Sequence, residues 1–300
     1  MRVPHTLCVA AAALALLGGC ASSRPPEVAE TAGCLKAEQV NRLAEHYQAR
    51  KPADNPPAGM TMADARCTRA KLQQHLSRQA GRLAGYKAGL TNPAVQKRFN
   101  TTEPVWGALY EHMLLPHAAV VDAAFGARPL YEADLLVRVK SAAINEARTP
   151  AQVLAQVDQV IPFIELPDLM VQQPGQLSGA GVTAINVGAR LGVRGQPLPV
   201  PADSAAQARL LDELREMHVR LVDGQGQALG AGKGADVLGH PLNAVVWLVQ
   251  ALKAEGMSLA PGQLVSLGSF SALLPPKPGL QVTAHYDGLS GAQPVSVTFK

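Results

Sequence analysis

Glycine and proline interrupt this chain so often that it can hold only short elements. With 27 Gly and 23 Pro among 300 residues, the apolar runs are cut to strand or short-helix length, which excludes a coiled coil. Hydrophobic residues still make up 47%. That is enough to bury one large core or two modest ones, so the chain is no disordered polymer. Charged residues reach only 17%, against a usual share of about 25%. The net charge of +4 is small, and no Lys/Arg stripe interleaves with aromatics, so nucleic acid is not an expected partner.

The first twenty residues read as an export signal. Arg2 supplies a positive start, Leu7 to Leu17 is apolar, and Leu17-Gly18-Gly19-Cys20 matches a lipobox. The apolar run is too short to span a bilayer, which takes about 20 residues. Small residues before the cut suit a narrow protease site, and the Cys20 thiol accepts the lipid. Acyl chains buried at roughly 0.8 kcal/mol per CH₂ then hold the protein on the membrane. Ala21-Ser22-Ser23 contains no Asp, which favours the outer membrane, facing the periplasm. Residues 21–34 read as a tether. Cys34 and Cys67 remain in the exported part, where an oxidising compartment favours their pairing.

Residues 35–83 read as an N-terminal helical part. An amphipathic helix is expected over 35–49, a Pro-rich loop over 51–60, and a second helix capped by Thr61 and running to about Leu83. Residues 84–300 read as β-rich, with helices packed on the sheets. Strands are expected from Ala84, over 129–139, 163–166, 184–193, 219–222, 263–267, 280–286 and 295–299. Helices are expected from Thr149-Pro150 to about Val160, from Asp203-Ser204 to about Met217, and over 242–254. The fold class is α+β.

Four places could carry chemistry. Glu132 and Asp134 stand two apart on an expected strand and so face one way. Glu165 and Asp168 flank a second apolar strand. Converging carboxylates suit a hard divalent ion, while separate ones are solvated strand ends. Lys87, inside Gly85-Tyr86-Lys87-Ala88-Gly89-Leu90, is either a surface lysine or a group placed to meet a carboxylate. The loop 232–244 is Gly-rich and opens a helix, yet matches neither a Walker loop nor a Rossmann fingerprint. Its helix start, near Gly239 and His240, could meet a substrate carboxylate. No G-x-S-x-G elbow occurs, and His112 and His117 are five apart, a poor spacing for a zinc pair.

Taken in order, several segments resemble the 2-keto-4-pentenoate hydratase and 4-oxalocrotonate decarboxylase branch of the fumarylacetoacetate hydrolase superfamily. They are Gly85-Tyr86-Lys87-Ala88-Gly89-Leu90-Thr91, Glu103-Pro104-Val105-Trp106-Gly107, Glu132-Ala133-Asp134, Ile164-Glu165 and Gly239-His240-Pro241-Leu242-Asn243-Ala244-Val245-Val246-Trp247-Leu248. The likeness covers residues 35–300. It implies a mixed β roll or sandwich with outer helices, often assembled as a homo-oligomer. It implies a Mg²⁺ or Mn²⁺ site at Glu132, Asp134 and Glu165, with Lys87 as the active-site lysine and Asn186, Gly239 and His240 near the substrate. The implied substrate is a small 2-oxo acid or its 2-hydroxy-dienoate form. Val105, Ile185 and Gly188 stand where the family has polar residues that position water or move a proton. Two functions therefore compete: a metal-dependent lyase, and a binding or scaffold lipoprotein that keeps the fold without turnover.

Overall fold

The computed structural model describes residues 29–300. The expected signal segment, Cys20 and most of the expected tether lie outside the described residues. Two helices come first, α1 (Ala37–Ala49) and α2 (Met62–Ala80), followed by β1 (Leu83–Gly89), α3 (Pro93–Arg98), β2 (Val105–Tyr110), β3 (Leu114–Pro116) and β4 (Ala119–Val121). The middle of the chain forms β5 (Glu132–Val139), α4 (Pro150–Leu154), β6 (Val157–Leu166), α5 (Gly179–Ala184), β7 (Leu191–Arg194) and β8 (Leu198–Pro199). The last third forms α6 (Ser204–Glu216), β9 (His218–Asp223), β10 (Ala228–Lys233), α7 (Asn243–Ala254), β11 (Leu264–Ser266), β12 (Gln281–Asp287) and β13 (Val295–Phe299).

Local chemistry explains the helix starts. The Thr61 hydroxyl accepts from the Asp64 amide at 3.2 Å, and Asp203 accepts from Ala206 at 2.7 Å. Each such cap is worth about 1 kcal/mol. Two expected elements differ. The expected helix from Thr149 stops at Leu154, and β6 begins at Val157. Val157, Val160 and Ile161 are β-branched and suit a pleated, doubly covered surface better than a helix. The expected strand over 184–193 is instead the end of α5, a left-handed turn over Asn186–Gly188, and the short β7.

The strands make two mixed sheets. The larger runs β2-β1-β11-β5-β6-β7-β3, with β8 also on β6; the smaller runs β10-β9-β12-β13-β4. Pro162 sits inside β6 without breaking it, because its outer neighbour changes there from β7 to β8, so no ladder bond needs its missing N–H. Side chains on alternate faces of β5 enter different cores. Ala133, Leu135 and Val137 join the core shared with the smaller sheet, α6 and α7. Leu136 joins the core under α1, α2 and α5, with Val40, Leu72 and Val182. The N-terminal helices therefore cover one face of the large sheet. The four charged candidates lie on that face.

Candidate active site

Strand register brings the acidic residues together. Glu132 of β5 stands opposite Glu165 of β6, and Asp134 stands opposite Phe163. Lys87 of β1 stands beside Ser266 of β11, which in turn faces Leu136. All share the face that Leu136 and Phe163 give to the core under α1, α2 and α5. All four are buried: Lys87 is 3% exposed, Glu132 8%, Asp134 0% and Glu165 1%.

Lys87 bridges two elements. Its Nζ forms an ion pair with Glu165 Oε1 and donates to the carbonyl of Val187 at 3.0 Å. That carbonyl is aimed by an unusual turn. Asn186, Val187 and Gly188 follow one another in the left-handed region, with φ of 55°, 55° and 64°. For a β-branched residue such as Val187 this costs about 1–3 kcal/mol. Two glycines make room for it. A Cβ on Gly89 would stand 2.5 Å from Val187 Cγ1, and a Cβ on Gly107 would stand 2.4 Å from the Asn186 carbonyl oxygen. Asn186 locks the turn to β2: its Oδ1 accepts from the Ala108 amide at 2.8 Å, and its Nδ2 donates to the Ala108 carbonyl at 3.0 Å.

Asp134 is held by four donors. Oδ1 accepts from the amides of Leu135 at 2.6 Å, Leu267 at 3.1 Å and Gly268 at 3.0 Å. Oδ2 accepts from the Ser266 hydroxyl. Despite these bonds, burial and the charge of Glu165 push its pKa up to about 7. Glu132 is pushed well above the carboxylate range, first by burial and then by the charge of Glu165, with Lys87 acting against both. The charge balance explains this. Two like charges about 4 Å apart repel by about 4 kcal/mol at an effective dielectric of about 20. One lysine cannot offset three carboxylates, so protons are retained unless another cation arrives.

That donor set fits a hard divalent cation in chemistry and in charge: every donor is a buried carboxylate oxygen. Glu165 Oε1 is buried and has no partner besides the Lys87 ammonium. Yet among the described residues no three His, Cys, Asp or Glu side chains converge as a group that could hold a metal. Lys87 draws Glu165 to itself, and the amides hold Asp134. A groove of about 1080 Å³ lies toward the other end of the same face, lined by Arg138, Gln159, Ile161 and Arg194 among others. None of the four charged residues reaches it.

No family model matches the chain. It is 28% identical to 4-oxalocrotonate decarboxylase of Pseudomonas putida over 264 residues, 85% of this chain and 96% of that protein. It is 26% identical to 2-keto-4-pentenoate hydratase of Paraburkholderia xenovorans over 86% of this chain and 93% of that protein. Its structure superposes on 4-oxalocrotonate decarboxylase from Pseudomonas putida G7, complexed with magnesium and adipate. The TM-score is 0.75 at 26% identity, covering 89% of this chain and 99% of that one. The chain is a divergent homologue of these enzymes. Its fold matches structural neighbours of the fumarylacetoacetate hydrolase superfamily.

Other expected site residues take quieter places. Asn186 is 1% exposed and spends its amide on β2. His240 receives the Leu242 amide on Nδ1 at 3.1 Å, and its Nε2 lies 3.1 Å from the Leu211 carbonyl. It shapes the start of α7, and burial lowers its pKa. Gly239 turns the chain there with φ of 77°. Asp168 accepts from the amides of Ala127, Arg128 and Met170 at 3.0, 2.7 and 3.1 Å, which makes it a loop anchor. Val105 and Ile185 are buried and apolar. Cys34 and Cys67 are joined, with Cα atoms 5.7 Å apart.

Sequence reasoning missed two positioning residues. Ser266 bonds Asp134 from 132 positions away. Tyr286, on the small sheet, donates to the Asp134 carbonyl at 2.6 Å and accepts from the Phe163 amide at 3.0 Å. Tyr286 thereby ties the smaller sheet to the acidic strands of the larger one. The clue was a lone tyrosine in an otherwise alternating strand, which needs a polar partner when buried.

Proposed function

We propose that the chain is a divalent-metal-dependent lyase that acts on a small 2-oxo acid or its 2-hydroxy-dienoate form. One observation carries this reading: a lysine and three carboxylates are buried on one sheet face, in a chain whose homologues are hydratases and decarboxylases. The related decarboxylase structure contains magnesium, and Mg²⁺ or Mn²⁺ is the cation proposed here. Glu132, Asp134 and Glu165 would hold it. When bound, the ion supplies Lewis acidity and offsets the charge of an enolate. Lys87 holds or delivers a proton at the carbon skeleton, or binds the substrate carboxylate. The backbone carbonyl of Val187 fixes where that ammonium stands. Val105, Ile185 and Val187, all buried, exclude water from this side of the face.

The same apolar residues favour a second reading, a lipoprotein that binds a small acid without turning it over. Following ultraviolet loss of 2-hydroxypenta-2,4-dienoate separates the two. With Mg²⁺ or Mn²⁺ the lyase consumes the dienoate, and EDTA or Glu132→Ala stops it. Metal binding without consumption of this or a related 2-oxo acid supports the binding lipoprotein instead.

We further propose export and membrane attachment through a lipid on Cys20, at the outer membrane facing the periplasm. The joined Cys34 and Cys67 support an oxidising compartment. Labelled palmitate should enter the wild-type chain and not Cys20→Ser; equal labelling of both contradicts the attachment.

A further inference from the structure

We propose that Lys87 is the displaceable internal counter-ion of the acidic face and competes with a divalent cation for Glu165, a proposal that rests on the metal-dependent reading above. Among the described residues, Lys87 is the buried lysine. Its Nζ meets Glu165 Oε1, a buried carboxylate oxygen with no other partner. Neither Glu165 nor Glu132 has a backbone amide to hold it, whereas Asp134 has three. Of the two, Glu165 is the one that Lys87 contacts, and so the carboxylate that can exchange one cation for another.

The competition follows from charge. A divalent ion that takes oxygens from Glu132 and Glu165 arrives within a few ångströms of the Lys87 ammonium. Two positive charges that close repel by several kcal/mol in a protein interior. The ammonium must leave Glu165 before the ion can use that oxygen fully. Its second partner stays in place: the Val187 carbonyl, set 3.0 Å from Nζ by the left-handed turn, gives the displaced ammonium a neutral acceptor. The lysine thus keeps the three carboxylates together in the metal-free protein and yields one of them on loading. This also accounts for the lack of a converged three-residue ligand group in the described residues.

Removing the charge while keeping the volume tests this. Mn²⁺ titrations by calorimetry or paramagnetic resonance would compare the full chain, Lys87→Met and Glu165→Gln. The expected result is Mn²⁺ binding tightened about tenfold or more in Lys87→Met and weakened in Glu165→Gln. Wild-type binding with equal or weaker binding in a folded Lys87→Met overturns the competition and leaves the metal-dependent reading standing. Absence of Mn²⁺ binding in both overturns that reading and the competition with it. A second measurement needs no variant. In EDTA the buried lysine should give a slowly exchanging Nζ proton signal in the wild-type protein. Saturating Mg²⁺ should shift it or speed its exchange, and an unchanged signal under saturating Mg²⁺ contradicts the proposal.

Discussion

Two clusters of buried charge sit on opposite sides of β1, and they are balanced differently. In the first, Arg69 of α2 lies 3.3 Å over the Trp106 ring. It donates to Glu255 at 2.5 Å and to the Trp106 carbonyl at 3.2 Å. Glu255 also accepts from the Trp106 indole at 3.0 Å and pairs with Arg66 at 3.4 Å. Positive charge there meets negative charge, and aromatic faces fill the rest. In the second, one ammonium serves three carboxylates. The first cluster is balanced in charge as folded, although Arg69 Nε donates to no partner, and it clamps α2 to the end of α7. The second is balanced by retained protons on Glu132 and Asp134, or by another cation. Buried charge by itself therefore says little about function; the unbalanced remainder is what marks a binding site.

The comparison can be broken at three points. Glu255→Ala should have the largest effect. It leaves the Arg69 guanidinium, 2% exposed, without its carboxylate and should cost about 3–5 kcal/mol, read by urea denaturation in EDTA. Mn²⁺ binding by the folded fraction should not change. A cost below about 1 kcal/mol would mean that the clamp is not a closed ion pair.

Glu132→Gln should act with the opposite sign. In EDTA near neutral pH it removes a buried carboxyl group that folding forces to hold a proton and should raise the melting temperature by roughly 2–4 °C. The same change should abolish stabilisation by Mg²⁺. A lower melting temperature in EDTA would show that Glu132 is already balanced.

Asp134→Asn should give the smallest effect, seen as a change of slope. The folded chain holds the Asp134 proton up to about 7, against an ordinary value of 3.8. The fold therefore binds this proton more tightly than the unfolded chain does. The resulting stability is full below about pH 4 and is lost as pH rises through about 7. In EDTA, Asp134→Asn should flatten the fall in stability across that window. An unchanged slope would place the titration on another group.

Much of the fold was legible because local signals agreed with tertiary demands. Thr61, Thr149 and Asp203 cap where their types and spacings indicate, and the Gly-rich turn after Val222 joins β9 to β10. The hidden parts depend on partners far away in sequence. Residues 157–160 read as helix until β5 is beside them to complete a ladder. Val187 gives no local sign of a left-handed conformation; Gly89 and Gly107 permit it from neighbouring strands. The site divides in the same way. Lys87, Glu132, Asp134 and Glu165 were visible as residues on or beside expected strands. Their balance was not, because it depends on Ser266, Tyr286 and the Val187 carbonyl.

The most direct measurement is the position of Mn²⁺ in crystals grown with the ion, located by anomalous scattering. A single strong peak contacting Glu132 and Glu165, with Lys87 Nζ moved off Glu165, is the predicted result. No peak at this face under saturating Mn²⁺, with the Lys87–Glu165 pair intact, would contradict it.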